Sequence, residues 1–206
     1  MTTKIPQTVM VTGAEGALGT VVAKRFLQSG CRVIGTYHQA APGDFPPSDR
    51  MEWLRMDVSD SKSVRAGIAS LTERGTAIEG MIHCAGGFRY STVEQTTDEQ
   101  LDFLIGTNLK SAFILLRELI PGMKKRDFGR VVLISSRATQ QSPAGMAAYA
   151  ASKSGLNLLT SSLADEVRKF DINVNAVMPT VIDTPANRRD MPQADFSTWV
   201  TPESLA

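Results

Sequence analysis

Tyr149 and Lys153 stand four positions apart in MAAYAASKSG, residues 146 to 155, a run otherwise made of small side chains. On a helix, positions i and i+4 share a face with Cβ atoms about 5 to 6 Å apart. The pair is therefore expected to point one way. A free phenol has a pKa near 10, and each unit of downward shift needs about 1.4 kcal/mol of preferential stabilisation of the phenolate. A lysine ammonium within about 4 to 6 Å supplies that kind of stabilisation, which would bring Tyr149 towards the range where general acid-base catalysis is efficient. Ser136 precedes the pair by thirteen residues and can donate to an oxygen on which negative charge builds. Taken alone, such a Tyr-Lys pair is more often a surface stacking pair, so it has to be weighed with the rest of the chain.

A second group of residues could hold a phosphate. The turn TGAEGALG, residues 12 to 19, follows an apolar run and opens a helical stretch, with Gly13, Gly16 and Gly19 spaced G-x-x-G-x-x-G. Glycines here allow a tight turn, let Glu15, Gly16, Ala17, Leu18 and Gly19 bring backbone close to a pyrophosphate, and aim a helix N-terminus at it. In such folds an acidic residue at the end of the second strand accepts hydrogen bonds from the ribose of NAD. Thr36, Tyr37 and His38 stand there instead. With no carboxylate to repel a 2′-phosphate, NADP(H) is favoured over NAD(H), although no arginine is visible there either.

The elements that must position these residues are readable. TVMVT (8–12), RVIGTY (32–37), EWLRMDV (52–58), GMIHCA (80–85), RVVLIS (130–135) and INVNAVM (172–178) are short β-branched runs separated by helical stretches. That alternation predicts a doubly wound parallel sheet with helices on both faces, an α/β fold of the Rossmann type in a single domain spanning residues 1–206. Helices are expected over 16–30, 61–74, 97–121 and 149–169, the third opened by the capping-box pattern Thr97-x-x-Gln100 and stopped at Pro121-Gly122. The three prolines of QAAPGDFPPSDR argue against a crossover helix between the second and third strands. Residues 180–200 lack sustained periodicity and are expected to form a loop or short helices over the site.

In order and approximate spacing these patches resemble the short-chain dehydrogenase/reductases from residue 8 to about 185. They are the glycine turn, Met56-Asp57-Val58, Cys84-Ala85-Gly86-Gly87, Asn108, Ser135-Ser136, Tyr149-x-x-x-Lys153 and Pro179-Thr180-x-x-Asp183-Thr184. The resemblance implies an NAD(P)(H)-dependent oxidoreductase that moves a hydride between nicotinamide and a carbonyl or secondary alcohol. It implies a catalytic tetrad of Asn108, Ser136, Tyr149 and Lys153, with Asn108 holding a water that relays protons towards the lysine. It places Asp57 and Val58 at the adenine and counts Cys84, Ala85, Gly86, Pro179, Thr180, Ile182 and Thr184, with Tyr149 and Lys153, among the cofactor-binding residues. Gly87, Phe88, Arg89, Gln141, Met146 and Asn187 are expected to line the substrate.

The chain departs from the family pattern at Ala17, where the middle glycine normally stands, and at Cys84, normally an asparagine. Both departures, with Asp183-Thr184-Pro185-Ala186-Asn187-Arg188, are similar to the quinoid dihydropteridine reductases. Those lack the catalytic serine and carry an acid after the second strand, so a general carbonyl is expected in preference to a pterin. A dinucleotide sensor without turnover is the other alternative, separable by nucleotide titration with no activity across a carbonyl panel. Family members continue with a further helix and edge strand, which are expected to be absent here. A homodimer or homotetramer is expected through helices 98–120 and 149–169.

Composition sets the remaining bounds. The chain has 206 residues, 42% hydrophobic and 21% charged, with a formal net charge of +1. No basic or acidic block is long enough to suggest nucleic acid or a membrane surface as partner. No signal peptide or membrane span is readable, so a cytoplasmic protein is expected. Cys31 and Cys84 form no disulfide or zinc pattern, and no metal is expected. His83, among apolar residues, is expected to be a packed, hydrogen-bonded histidine with no catalytic role.

Overall fold

The computed structural model describes residues 4–206. One parallel sheet carries the chain: β1 (Thr8–Thr12), β2 (Arg32–Tyr37), β3 (Met51–Arg55), β4 (Gly80–His83), β5 (Gly129–Ile134) and β6 (Ile172–Val177), in the order β3-β2-β1-β4-β5-β6. All five pairings are parallel. Strand order reverses between β1 and β4, and open α/β sheets bind ligands at the carboxyl ends of the strands at such a point. The side chains singled out for chemistry follow these ends.

Both faces of the sheet are covered, which is why its central strands read as unbroken apolar runs. Within β1, Met10 faces one core while Val9 and Val11 face the other. The larger core joins the sheet to α2 (Ser61–Glu73), α4 (Ser111–Arg126) and α5 (Ala147–Glu166). The smaller one lies under α1 (Ala17–Gln28) and takes in Phe45, Met51 and Trp53. No helix joins β2 to β3, as the prolines foretold.

Local signals set most boundaries. Asp60 caps α2 by accepting from the amides of Lys62 and Ser63. Thr97 and Gln100 form the capping box of α3 (Asp98–Leu104). The third helix departs from expectation in two ways. It is interrupted by a π turn over Ile105–Lys110, and it passes through Pro121 to Arg126 instead of stopping there. Proline inside a helix costs about 3 kcal/mol. Burial of Leu119, Ile120 and Met123 on the core offsets that cost, while Pro121 itself is exposed. The strands end up to three residues earlier than expected, since Met56–Val58 and Cys84–Ala85 lie beyond the ladder as site loops. Residues 180–200 hold α6 (Pro185–Asp190) and a short 3₁₀ turn (Phe196–Thr198), tied at the base by a bridge between Ile182 and Val200. The closing helix, α7 (Pro202–Leu205), packs near α1.

Candidate active site

The glycine turn is built around close approach. Gly13 takes φ +62°, and a Cβ there would lie 2.9 Å from the backbone of Ala85. A Cβ on Gly19 would run into the Gly13 carbonyl. Gly16 precedes α1 with no side-chain cap, so the first amides of a twelve-residue helix are left to an anion. A pyrophosphate fits this cradle, whose space a single side chain would fill. Beside it the Ala14 amide donates to the Thr36 carbonyl (3.0 Å). The Glu15 carboxylate accepts from the His38 amide (3.1 Å).

At the end of β2, Thr36 is buried and Tyr37 meets Trp53 edge-on. His38 Nε2 lies 3.7 Å from the Asp57 carboxylate. Hydrogen bonds from Ser59 hold that carboxyl below the usual range. Arg55, paired in register with Tyr37, donates from Nε to the His38 carbonyl (3.4 Å). An arginine therefore stands beside the end of β2, brought by β3. The side chain of Val58 turns back to the larger core.

Past β4 the second cluster begins. Asn108, fully buried in the π turn, clamps the loop after β4: Oδ1 accepts from the Gly87 amide (2.8 Å), and Nδ2 donates to the Gly87 carbonyl (2.9 Å) and to Ser152 Oγ (3.0 Å). Ser152 in turn donates to the Tyr149 carbonyl (2.7 Å). A π turn adds a residue per turn and recurs at functional sites. Lys153, buried, donates from Nζ to the Ile134 carbonyl at the end of β5 (2.7 Å). A Cβ on Gly86 would sit 3.1 Å from Asn108 Oδ1 and 3.2 Å from Lys153 Nζ, so glycine leaves these two groups facing one small space.

The two serines after β5 separate cleanly. Ser135 is buried and donates to the Lys153 carbonyl (3.1 Å), whereas Ser136 Oγ caps a 3₁₀ turn by accepting from the Ala138 amide (3.2 Å) and neighbours Tyr149. Phe88 meets the Tyr149 ring edge-on at 5.0 Å. The charge tuning differs from the sequence expectation. Burial raises the Tyr149 phenol above its ordinary value, and the hydrogen bond with Ser136, rather than Lys153, opposes that rise. Burial lowers Lys153 to about 8, against a smaller upward pull from Cys84, which burial pushes up to about 12. Desolvation acts on both partners of the pair, and the ammonium spends itself on the Ile134 carbonyl.

A glycine-turn cradle at the switch point, with Tyr149, Lys153, Ser136 and Asn108 at the neighbouring strand ends, is the arrangement a dinucleotide oxidoreductase needs. The family model for short chain dehydrogenase matches residues 7–195. The chain belongs to the short-chain dehydrogenases. It is 31% identical to the 3-oxoacyl-[acyl-carrier-protein] reductase of Salmonella typhimurium over 183 residues, 87% of this chain and 75% of that one. It is 30% identical to the acetoacetyl-CoA reductase of Allochromatium vinosum, over 85% of this chain and 74% of the relative. Among solved structures, a short-chain dehydrogenase from Streptomyces avermitilis superposes with a TM-score of 0.82 at 33% identity, covering 88% of this chain and 68% of that one.

As a short-chain dehydrogenase the chain is an NAD(P)(H)-dependent oxidoreductase acting on a small molecule. Among the described residues no helix is long and apolar enough to cross a membrane. Of the positions marked for substrate, Gly87 and Phe88 adjoin Asn108 and Tyr149, and Met146 caps α5 just before Tyr149. Arg89 folds back over Phe103 with its guanidinium on the Phe88 carbonyl, Asn187 is tied to the Ile182 carbonyl, and Gln141 lies exposed. Pro179 is buried and its carbonyl accepts from Arg137, while Thr184 caps α6. Thr180 is exposed, and Ile182 packs against the smaller core. Sequence reading missed Arg55, Ser152 and the π turn. The register of β2 with β3 was the signal for Arg55. A small polar residue one turn from Tyr149 was the signal for Ser152.

Proposed function

We propose that this short-chain dehydrogenase interconverts a carbonyl and a secondary alcohol with Tyr149 Oη as the group that exchanges the substrate's proton. Support comes from the clustering of four side chains from three elements at the β4 and β5 ends. When bound, the nicotinamide supplies or takes the hydride. Ser136 Oγ donates to the substrate oxygen as charge builds there, a contribution of the oxyanion-hole kind. Lys153 and Asn108 hold the proton path at the space Gly86 leaves, and the turn from Gly13 to Gly19 with the first turn of α1 seats the pyrophosphate. The raised Tyr149 phenol is protonated at neutral pH, which suits it to give a proton to a carbonyl oxygen. The substrates to try first are 3-oxoacyl thioesters, since two relatives are named for them. Tyr149→Phe is expected to lower kcat by at least about 10³-fold with dinucleotide affinity within about threefold of wild type. Unchanged turnover would refute the assignment.

We further propose NADP(H) as the preferred cofactor. Arg55 brings the positive charge that β2 lacks, and Glu15, whose carboxylate sits on the His38 amide, weakens the preference without reversing it. Residues 180–200 serve as the substrate loop, braced by the Asp183–Arg188 ion pair at 2.6 Å. Association into a dimer or tetramer is proposed through α3, α4 and α5, where Phe113 (55% exposed) and Leu158 (72%) offer apolar contact. Light scattering of the purified chain and of Leu158→Glu tests this.

A further inference from the structure

His83 is 1% exposed and sits at the end of β4 between the two halves of the site. Its ring joins a chain of hydrogen bonds whose direction can be worked out. The Ser111 hydroxyl donates to the Thr107 carbonyl inside the π turn, so towards His83 it can only accept. His83 Nε2, 3.0 Å away, must then carry the proton. Nδ1 is left bare and accepts from the Thr12 hydroxyl at 2.8 Å. With that proton committed, Thr12 Oγ1 accepts from the Ala85 amide at 3.3 Å. The order Ala85, Thr12, His83, Ser111, Thr107 is thus polarised in one sense. One end lies against Gly13, whose missing Cβ lets it pack on Ala85, and the other lies in the turn that carries Asn108.

We propose that His83, held as the Nε2–H tautomer, is a positioning residue that keeps the dinucleotide turn in register with the π turn bearing Asn108. It is no proton shuttle, because burial, with Lys153 as a lesser influence, pushes its pKa down to about 3. An apolar side chain of similar size would leave the Thr12 and Ser111 hydroxyls buried without this partner and the two turns free to shift. A shift of about 1 Å between bound groups costs turnover heavily even far from the reacting atoms. The proposal rests on the reading of Asn108 and Lys153 given above.

The two halves of the ring separate the test. His83→Asn retains an acceptor near the place of Nδ1, and His83→Gln retains a donor near the place of Nε2. In the Asn variant, NADPH affinity by fluorescence titration should hold within about twofold while kcat falls about tenfold or more. In the Gln variant the Kd should weaken by about tenfold with kcat within about threefold. Ser111→Ala, which removes one hydroxyl, should behave like the Asn variant. Nitrogen NMR of the full-length protein should show a bare Nδ1 and a protonated Nε2, unchanged between pH 5 and 9. The proposal is overturned by a protonated Nδ1, or if the variants lose Kd and kcat in one proportion that follows their melting temperatures. Retained turnover in Tyr149→Phe would sink the catalytic reading, while the tautomer and the affinities would still decide this one.

Discussion

Replacing Lys153 by methionine should abolish turnover yet leave the protein at least as stable at neutral pH. In the folded chain burial lowers the ammonium from 10.5 to about 8. The unfolded chain therefore binds that proton more tightly, and protonation drives unfolding. The shift is worth about 3 kcal/mol against the native state at pH 7, and the deficit disappears as pH rises from about 8 towards 10.5. Against the gain from removing it stands the Ile134 carbonyl, which loses its 2.7 Å donor at a cost of about 1 to 3 kcal/mol. The net expectation at pH 7 is a variant between equal stability and about 2 kcal/mol more stable. The pH dependence is sharper. Between pH 7 and pH 9 the wild type should gain about 1 kcal/mol relative to the variant, because only the wild type carries the group. Over this range Cys84 adds little to the difference between the two proteins, because burial, opposed only in the wild type by Lys153, keeps its thiol protonated in both folded states. Urea unfolding at both pH values measures these quantities. A variant more than about 2 kcal/mol less stable at pH 7, with a difference that does not change with pH, would show that the charge is not under strain.

Gly19→Ala places a methyl group against the Gly13 carbonyl, so dinucleotide affinity should fall by more than about tenfold in a titration, with unaltered affinity contradicting the cradle. Glu15→Gln removes the carboxylate on the His38 amide and should raise the NADPH-to-NADH affinity ratio severalfold, whereas Arg55→Met should lower it; opposite changes would reverse the cofactor assignment. Asp60→Ala leaves the amides of Lys62 and Ser63 without their acceptor and should cost about 1 kcal/mol in urea unfolding, with kcat unchanged.

The central strands β1, β2 and β4 were legible because they are buried on both faces and so carry no alternation to blur them. Val9, Met10 and Val11 read as one apolar run while serving two cores. Helix starts were legible where a side chain makes the cap, as Thr97 and Asp60 do. The end at Pro121 was misread because a propensity rule sees only the local chain. What carries the helix to Arg126 is burial of Met123 on a core assembled from distant segments. The π turn was invisible for a related reason. Asn108 is a poor helix former, but nothing in IGTNLK says whether the helix yields by ending, kinking or admitting an extra residue. The choice was settled by Gly87 and Ser152, which supply the partners of the Asn108 amide.

The chemistry was legible as residue types and only partly as energetics. Spacing put Tyr149 and Lys153 on one face and suggested that the cation would acidify the phenol. That inference treats the pair as if it stood in water, where proximity alone sets the shift. In the fold both groups are desolvated, which raises an acid and lowers a base, so each becomes a worse ion. The two groups start nearly matched, at about 10 and 10.5, and burial moves them apart, the phenol up and the ammonium down to about 8. For returning a proton to the phenolate this order, with the ammonium the stronger acid, matters more than an acidic phenol. A neutral tyrosine that gives up its proton within reach of a lysine of pKa about 8 can be reprotonated from it near neutral pH. Ser152 and the Ile134 carbonyl keep that lysine and the helix start in place while Gly86 leaves the space between Asn108 and Lys153 open. The cost of burying the cation is therefore retained in the native state, and removing the lysine releases it.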